Sequence, residues 1–259
     1  MPTEIINGFR MYYEVAGSGV PLLFVHGGLG GGRGSATFRQ YQMAALAEYA
    51  EVIAFDRRAA GVSETPAAGY SFTRFIDDIF ALLDHLGHQR VILMGTSAGG
   101  PQVLQATLTA PERVIGLILG STASQTVNVP PELASLITFL GTEGLTQMQA
   151  MLSQSESEGG GGATHPRQQF SGVLQTYLAY HLHGNPIAER LGDIAAAALI
   201  LHGTADEEVP FVEAERLKAG LPNASLIPFE NGRHAIMSTH AEAYRAAIIT
   251  FLQSLTAAL

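Results

Sequence analysis

The run Val91-Ile92-Leu93-Met94, followed at once by Gly95-Thr96-Ser97-Ala98-Gly99-Gly100, constrains the fold of this chain more than any other stretch. Four apolar residues, two of them β-branched, give way abruptly to small ones with a single serine at the turn. Such a run reads as a strand buried on both faces that turns sharply into a helix. The spacing Gly95-x-Ser97-x-Gly99 matches G-x-S-x-G, the nucleophile elbow. A turn this sharp forces the serine into an unfavourable backbone conformation, and side chains two residues away would collide with it, so glycine belongs on both sides. Alone, the same pattern is equally a plain turn in a glycine-rich chain.

The surrounding chain alternates strand and helix. Glu4 to Glu14 reads as two antiparallel strands about Asn7-Gly8, a strong hairpin pair. Pro21 to Val25 is a second buried strand, ending in His26-Gly27-Gly28-Leu29-Gly30-Gly31-Gly32. Phe38 to Tyr49 has helical spacing, and Glu51 to Asp56 is the next strand. Phe72 to Leu86 is an amphipathic helix with Phe75, Ile76, Ile79, Leu82 and Leu83 on one face, closed by Gly87. After the elbow come a helix from Ala98 to Thr109 and a strand from Val114 to Leu119. The rhythm resumes with a strand at 198–203, a helix at 211–219, a strand at 224–229 and a closing helix predicted from Ile236 to Leu255. Alternation of this kind predicts an eight-stranded, mostly parallel sheet with helices on both faces, and ligands beyond the C-terminal strand ends.

Between Ser121 and Leu191 no strand of that quality occurs. Helical patterns at 130–139, 145–152 and 170–182 surround a polar loop with Gly159-Gly160-Gly161-Gly162, a candidate gate or hinge. The expectation is a core of residues 1–120 and 192–259, with 121–191 inserted as a helical lid that has no separate core.

The bulk numbers remove several function classes. A net charge of −9, with no basic run, disfavours nucleic acid as a partner. The chain has no cysteine, which excludes disulfides, thiol catalysis and Cys-based zinc sites. No apolar run reaches the roughly 18 residues of a spanning helix, and the N-terminus lacks a signal pattern, so a cytoplasmic protein without a membrane partner is expected, monomeric or homodimeric. His181-x-His183 suggests a metal, yet no third ligand is near it, and neither metal nor cofactor is expected.

A serine hydroxyl needs a base to take its proton and a carboxylate to orient that base. After Ser97, Asp206 leaves a buried strand in Gly203-Thr204-Ala205-Asp206-Glu207-Glu208-Val209-Pro210, and His234 follows the last strand in Asn231-Gly232-Arg233-His234. Glu207 and Glu208 stand beside Asp206 as alternative acids, Asp206 also being placed to cap the next helix; His240, inside the predicted closing helix, is the alternative base. His26 reads as an anchor for its glycine loop, and His202 as a core histidine.

Taken in order, His26-Gly27-Gly28, the Asp56–Ser63 loop, Gly95-Thr96-Ser97-Ala98-Gly99-Gly100, Asp206-x-x-Val209-Pro210 and Gly232-x-His234 resemble the α/β-hydrolase superfamily, specifically its small lidded members. The match spans the chain outside the insertion. It implies Ser97 as nucleophile, His234 as base and then acid, Asp206 as orienter, and an oxyanion hole from the N–H groups of Ala98 and Gly28, with Gly27 and Leu29 open as alternatives to Gly28. The loop Asp56-Arg57-Arg58-Ala59-Ala60-Gly61-Val62-Ser63 departs from the family pattern D-x-R-G-x-G-x-S at Ala59, which is expected to alter that turn. Arg57, Arg58 and Glu64 read as makers of surface ion pairs.

Serine at the elbow, where epoxide hydrolases and haloalkane dehalogenases carry Asp, favours an acyl-enzyme route on an ester or lactone. C–C or amide cleavage on the same residues, and a slow-turnover receptor of the same fold, are the alternatives. The substrate is expected to be a medium-sized, mainly apolar small molecule, contacted by Leu29, Phe139, Met151, Phe170, Tyr177 and Tyr180, with Tyr177 or Tyr180 able to donate a hydrogen bond.

Overall fold

The apolar runs lie side by side in the computed structural model, which describes residues 3–28, 32–125, 135, 139–141, 143–148, 150–151, 166–182 and 187–257. Strands β1 (Thr3–Ile6) and β2 (Phe9–Ala16) form the expected hairpin. Its turn residues, Asn7 and Gly8, both have left-handed backbone (φ 48° and 82°), as a two-residue turn of the right twist requires. Then follow β3 (Pro21–Val25), β4 (Glu51–Asp56), β5 (Val91–Thr96), β6 (Val114–Gly120), β7 (Ala197–Gly203) and β8 (Ala224–Phe229). The sheet order is β1-β2-β4-β3-β5-β6-β7-β8, with β2 antiparallel to β4 and every later pairing parallel. The order of strands reverses in space at β4-β3-β5, which puts β5 near the centre, so the loop after β5 opens into the crevice at the strand ends.

Because side chains alternate across a strand, the central strands feed two cores. Leu22 and Phe24 enter one layer with Phe38, Leu46, Tyr244 and Ile248, while Leu23 enters the other with Phe75, Ile79 and Val103. The first layer is covered by α1 (Ala36–Phe38), α2 (Ala44–Leu46) and the closing helices. The second is covered by α3 (Phe72–His85) and α4 (Gly99–Thr109). A π-helical turn, Arg39–Met43, interrupts the helix expected over 38–49.

Helix α5 (Pro166–Leu182) belongs to the block read as an insertion. Its buried Ala179 and Tyr180 join the second core, as do Ile187 and Leu191. At Gly172 the helix comes so close to Ala59, Thr65 and Tyr70 that a methyl group would overlap all three. The glycine run 159–162 and His183 lie outside the described residues. Helix α6 (Phe211–Gly220) follows β7. The closing helix differs from expectation. It is split into α7 (Ile236–Thr239) and α8 (Ala241–Thr256) at His240, whose φ of −122° and ψ of 36° are not helical. The Gln42 side chain, almost 200 residues earlier, donates to the carbonyls of Met237 (2.6 Å) and Ala241 (3.3 Å), bridging the two helices and giving a partner to the Met237 carbonyl at the end of α7. Among the described residues, no helix is long and apolar enough to cross a membrane.

Candidate active site

Ser97 occupies the turn between β5 and α4 with φ 49°, a left-handed conformation that costs a non-glycine residue about 1–3 kcal/mol. The neighbouring glycines make the turn possible. A Cβ on Gly95 would lie 2.6 Å from the Gly99 carbonyl, and one on Gly27 would lie 2.8 Å from the Ser97 Cβ. The glycine loop after β3 therefore presses directly on the serine.

The loops after β7 and β8 are joined by backbone. Thr204 N–H donates to Phe229 O and Ala205 N–H to Gly232 O, each at 2.9 Å, and Gly203 approaches Gly232 too closely for any side chain. This junction sets Asp206 against His234, with the ring Nδ1 2.9 Å from Asp206 Oδ2. The other carboxylate oxygen accepts the N–H groups of Glu208 and Val209, both at 2.9 Å. Burial alone would raise the Asp206 pKa; the bonds from His234 and those two amides hold it below its usual value. Burial likewise pulls His234 down, but Asp206 and the nearby Glu208 carry it above the ordinary histidine value. Of the alternative acids, Glu207 pairs with Arg233 at the surface, and Glu208 Oε2 sits 3.6 Å from the far ring nitrogen, Nε2. His240 lies at the helix break, its Nδ1 2.9 Å from the Thr239 hydroxyl. His202 is fully buried behind Asp206, 3.4 Å from its carboxylate and bonded to Val209 O.

Peptide geometry fixes where the backbone donors point, since C=O and N–H of a trans peptide face opposite ways. The Thr122 hydroxyl donates to Ser97 O at 2.5 Å, turning the Ala98 N–H away from it. The loop after β3 is held in the same manner. His26 Nδ1 bonds Gly27 O (2.7 Å), and its Nε2 accepts the Arg57 N–H (3.0 Å). Burial and the Arg57 charge depress the His26 pKa well below normal, so the ring is the neutral Nδ1–H tautomer. The Arg57 guanidinium adds bonds to Gly27 O (3.0 Å) and Gly28 O. Two donors on the Gly27 carbonyl leave the Gly28 N–H directed to the opposite side. Leu29, whose amide and side chain were both candidates, lies outside the described residues.

Arg57 and Arg58 correct the surface reading. They are only 5 % and 3 % exposed. Arg58 makes a two-pronged bond to buried Asp78 (2.7 and 2.6 Å) and covers the Phe9 ring. Glu64 receives the Arg10 N–H rather than an arginine side chain. At the departure from the family pattern, Ala59 takes the left-handed conformation that favours glycine, φ 59°, at a cost of about 1–2 kcal/mol.

Ser97, His234, His26, Gly28 and Glu208 line one cavity of about 390 Å³. Its apolar wall comes from Phe24, Phe38, Ile236 and Met237, none of which was singled out from sequence. Phe139 and Met151 are instead 85 % and 69 % exposed. Tyr177 is half-buried on α5, and Phe170 lies on the same helix. Tyr180 is buried with its hydroxyl committed to the protein: it donates to Ala98 O and receives Gln102 Nε2 (2.6 Å) and Arg57 Nη1 (3.2 Å). A helical stripe of aromatics does not tell a ligand wall from a core face, and here Tyr180 serves the core. Among the described residues, no group of three or more acidic or histidine side chains is placed to hold a metal.

Comparison with known proteins adds an independent line. The chain is 29 % identical over 265 residues to the 2-hydroxymuconate semialdehyde hydrolase of Pseudomonas putida, covering 95 % of this chain and 91 % of that one. The esterase EaEST of Exiguobacterium antarcticum superposes with a TM-score of 0.74 at 26 % identity, over 97 % and 98 % of the two chains. The enol-lactonase of Burkholderia xenovorans LB400 gives 0.77 at 19 % identity, over 97 % and 100 %. Residues 20–152 match the family model described as the alpha/beta hydrolase fold. With that match extending over half its length, on top of the sheet order and the strained serine after β5, the chain belongs to the α/β-hydrolase family.

Proposed function

We propose that the protein is a serine hydrolase that cleaves a medium-sized, mainly apolar carboxylic ester or lactone through an acyl-enzyme. The observation that carries this reading is the left-handed Ser97 sharing one cavity with His234, whose Nδ1 is held by Asp206. His234 takes the Ser97 proton as Oγ attacks the carbonyl carbon, and the oxyanion is received by the N–H groups of Ala98 and Gly28. Each such donor is worth about 3–4 kcal/mol in the transition state. His234 then protonates the departing alcohol, and the same steps with water release the acid. The predominantly apolar wall and the 390 Å³ volume suit a compact acyl group. Residues 121–191 act in this proposal as the lid, anchored by α5.

Similarity to the 2-hydroxymuconate semialdehyde hydrolase supports C–C bond hydrolysis as the second reading. Steady-state rates on short p-nitrophenyl esters, a lactone and a ring-fission dienone separate the two. Turnover of the ester or lactone well above the dienone is expected. A dienone kcat/KM exceeding both would establish the second reading, and stoichiometric binding without turnover of any would make the protein a receptor.

The pH profile follows from His234, which acts as base only when neutral. Its raised pKa means that kcat/KM falls as pH drops through a value above the ordinary histidine range. Removing the charge 3.6 Å from Nε2 with Glu208→Gln lowers that pKa, so the acidic limb moves to lower pH. A limb that stays in place would show that solvent screens this carboxylate from the ring.

A further inference from the structure

Two polar groups that line the cavity beside Ser97 are left unused by the hydrolysis reading. Tyr244, in α8, is fully buried, and Ser121, just after β6, is 4 % exposed; both line the cavity. Neither hydroxyl finds a partner among the described residues. Several other buried hydroxyls are committed: Ser35 to Asp56, Ser63 to Asp56 O, Thr107 to Val103 O and Thr176 to Gly172 O. An unsatisfied buried hydroxyl is costly, and phenylalanine would fill the position of Tyr244 without that cost. Two such groups lining one cavity are the signature of a polar ligand atom.

Resting on the ester-hydrolase reading, we infer that Tyr244 and Ser121 form a subsite for a second, uncharged oxygen in the acyl part of the substrate. Burial pushes the Tyr244 pKa far up, so its hydroxyl remains a donor at every working pH. Two hydroxyl donors suit a keto or hydroxyl oxygen. A carboxylate would be buried against neutral groups, because the cation lining this cavity beyond the histidines, Arg33, is exposed. Position sets the distance. Gly120 pairs with Thr96 across β5 and β6 and accepts the Ser97 N–H (3.0 Å), and the Tyr244 hydroxyl lies against Gly120. The hydroxyl is thus about one strand spacing and one residue step from Ser97, roughly 5–8 Å. That places the second oxygen at the third or fourth carbon of the acyl chain.

Two matched pairs of p-nitrophenyl esters test this: 4-oxopentanoate against 4-methylpentanoate, and 3-hydroxybutanoate against 3-methylbutanoate. Within at least one pair, kcat/KM is expected to favour the oxygenated ester by about tenfold or more, the worth of one well-placed hydrogen bond. Tyr244→Phe, which changes little else in the core, and Ser121→Ala should each bring that ratio toward one. No preference in the wild-type protein, or a preference that survives Tyr244→Phe, would overturn the subsite. Thermal unfolding with the free acids keeps the two readings apart. If no ester acylates Ser97, yet the oxygenated acid stabilises the wild type and not Tyr244→Phe, the subsite stands and the hydrolase reading falls.

Discussion

Ser97→Ala is expected to lower kcat on the preferred ester by about 10⁴–10⁶-fold while the protein stays folded. The hydroxyl is the attacking group and bears no packing burden, so the far-ultraviolet circular dichroism spectrum should not change. Alanine keeps the left-handed turn at a similar cost, since serine already lies at φ 49°. A serine-directed phosphonate should add to the wild-type protein at Ser97 and not to the variant. His234→Ala should cost nearly as much, and the double variant little more than either alone, because the residues act as a unit. A kcat within tenfold of wild type for Ser97→Ala, or phosphonate attached elsewhere, would remove the nucleophile from the proposal.

Arg57→Ala is expected to lower kcat by about 10²-fold, comparable to losing one oxyanion donor, with KM changed only a few-fold. Arg57 touches no substrate in this proposal. It positions the Gly28 amide by bonding the carbonyls of Gly27 and Gly28, and it carries a buried positive charge behind that amide. Among the described residues no acidic side chain pairs with it, so in this proposal its field is left to act on the oxyanion. Added guanidinium should restore part of kcat by refilling the space. A variant whose KM rises in step with an unchanged kcat, or one that guanidinium does not rescue, would reduce Arg57 to a packing role.

Much of this architecture is legible in the residues, for identifiable reasons. Val91–Met94, Pro21–Val25 and Ala198–Leu201 are continuous apolar runs of strand length bounded by turn residues, as a strand covered on both faces requires. The order Ser97, Asp206, His234 is readable because each follows a strong strand on a short loop. What could not be read is what depends on burial. Arg57 and Arg58 look like any charged pair until the fold covers them. The break at His240 has no proline or glycine to announce it, and its satisfying donor, Gln42, comes from the other end of the chain. Apolar spacing in the inserted block points to a buried face without naming its neighbour, so Tyr180 was grouped with ligand contacts although its hydroxyl meets Ala98 O. The Tyr244–Ser121 pair in the cavity left no sequence signal, because an unsatisfied hydroxyl is visible only against its surroundings.

The bond from Tyr180 to the Ala98 carbonyl, with Arg57 reaching from the same tyrosine to the glycine loop, has a consequence for how such chains diversify. The inserted block thus carries a pin that reaches the residue next to Ser97. A transplanted segment that fits the opening but lacks a hydroxyl at this depth would bring a new substrate to misaligned amides. Libraries that vary the inserted block are therefore best built with position 180 held fixed.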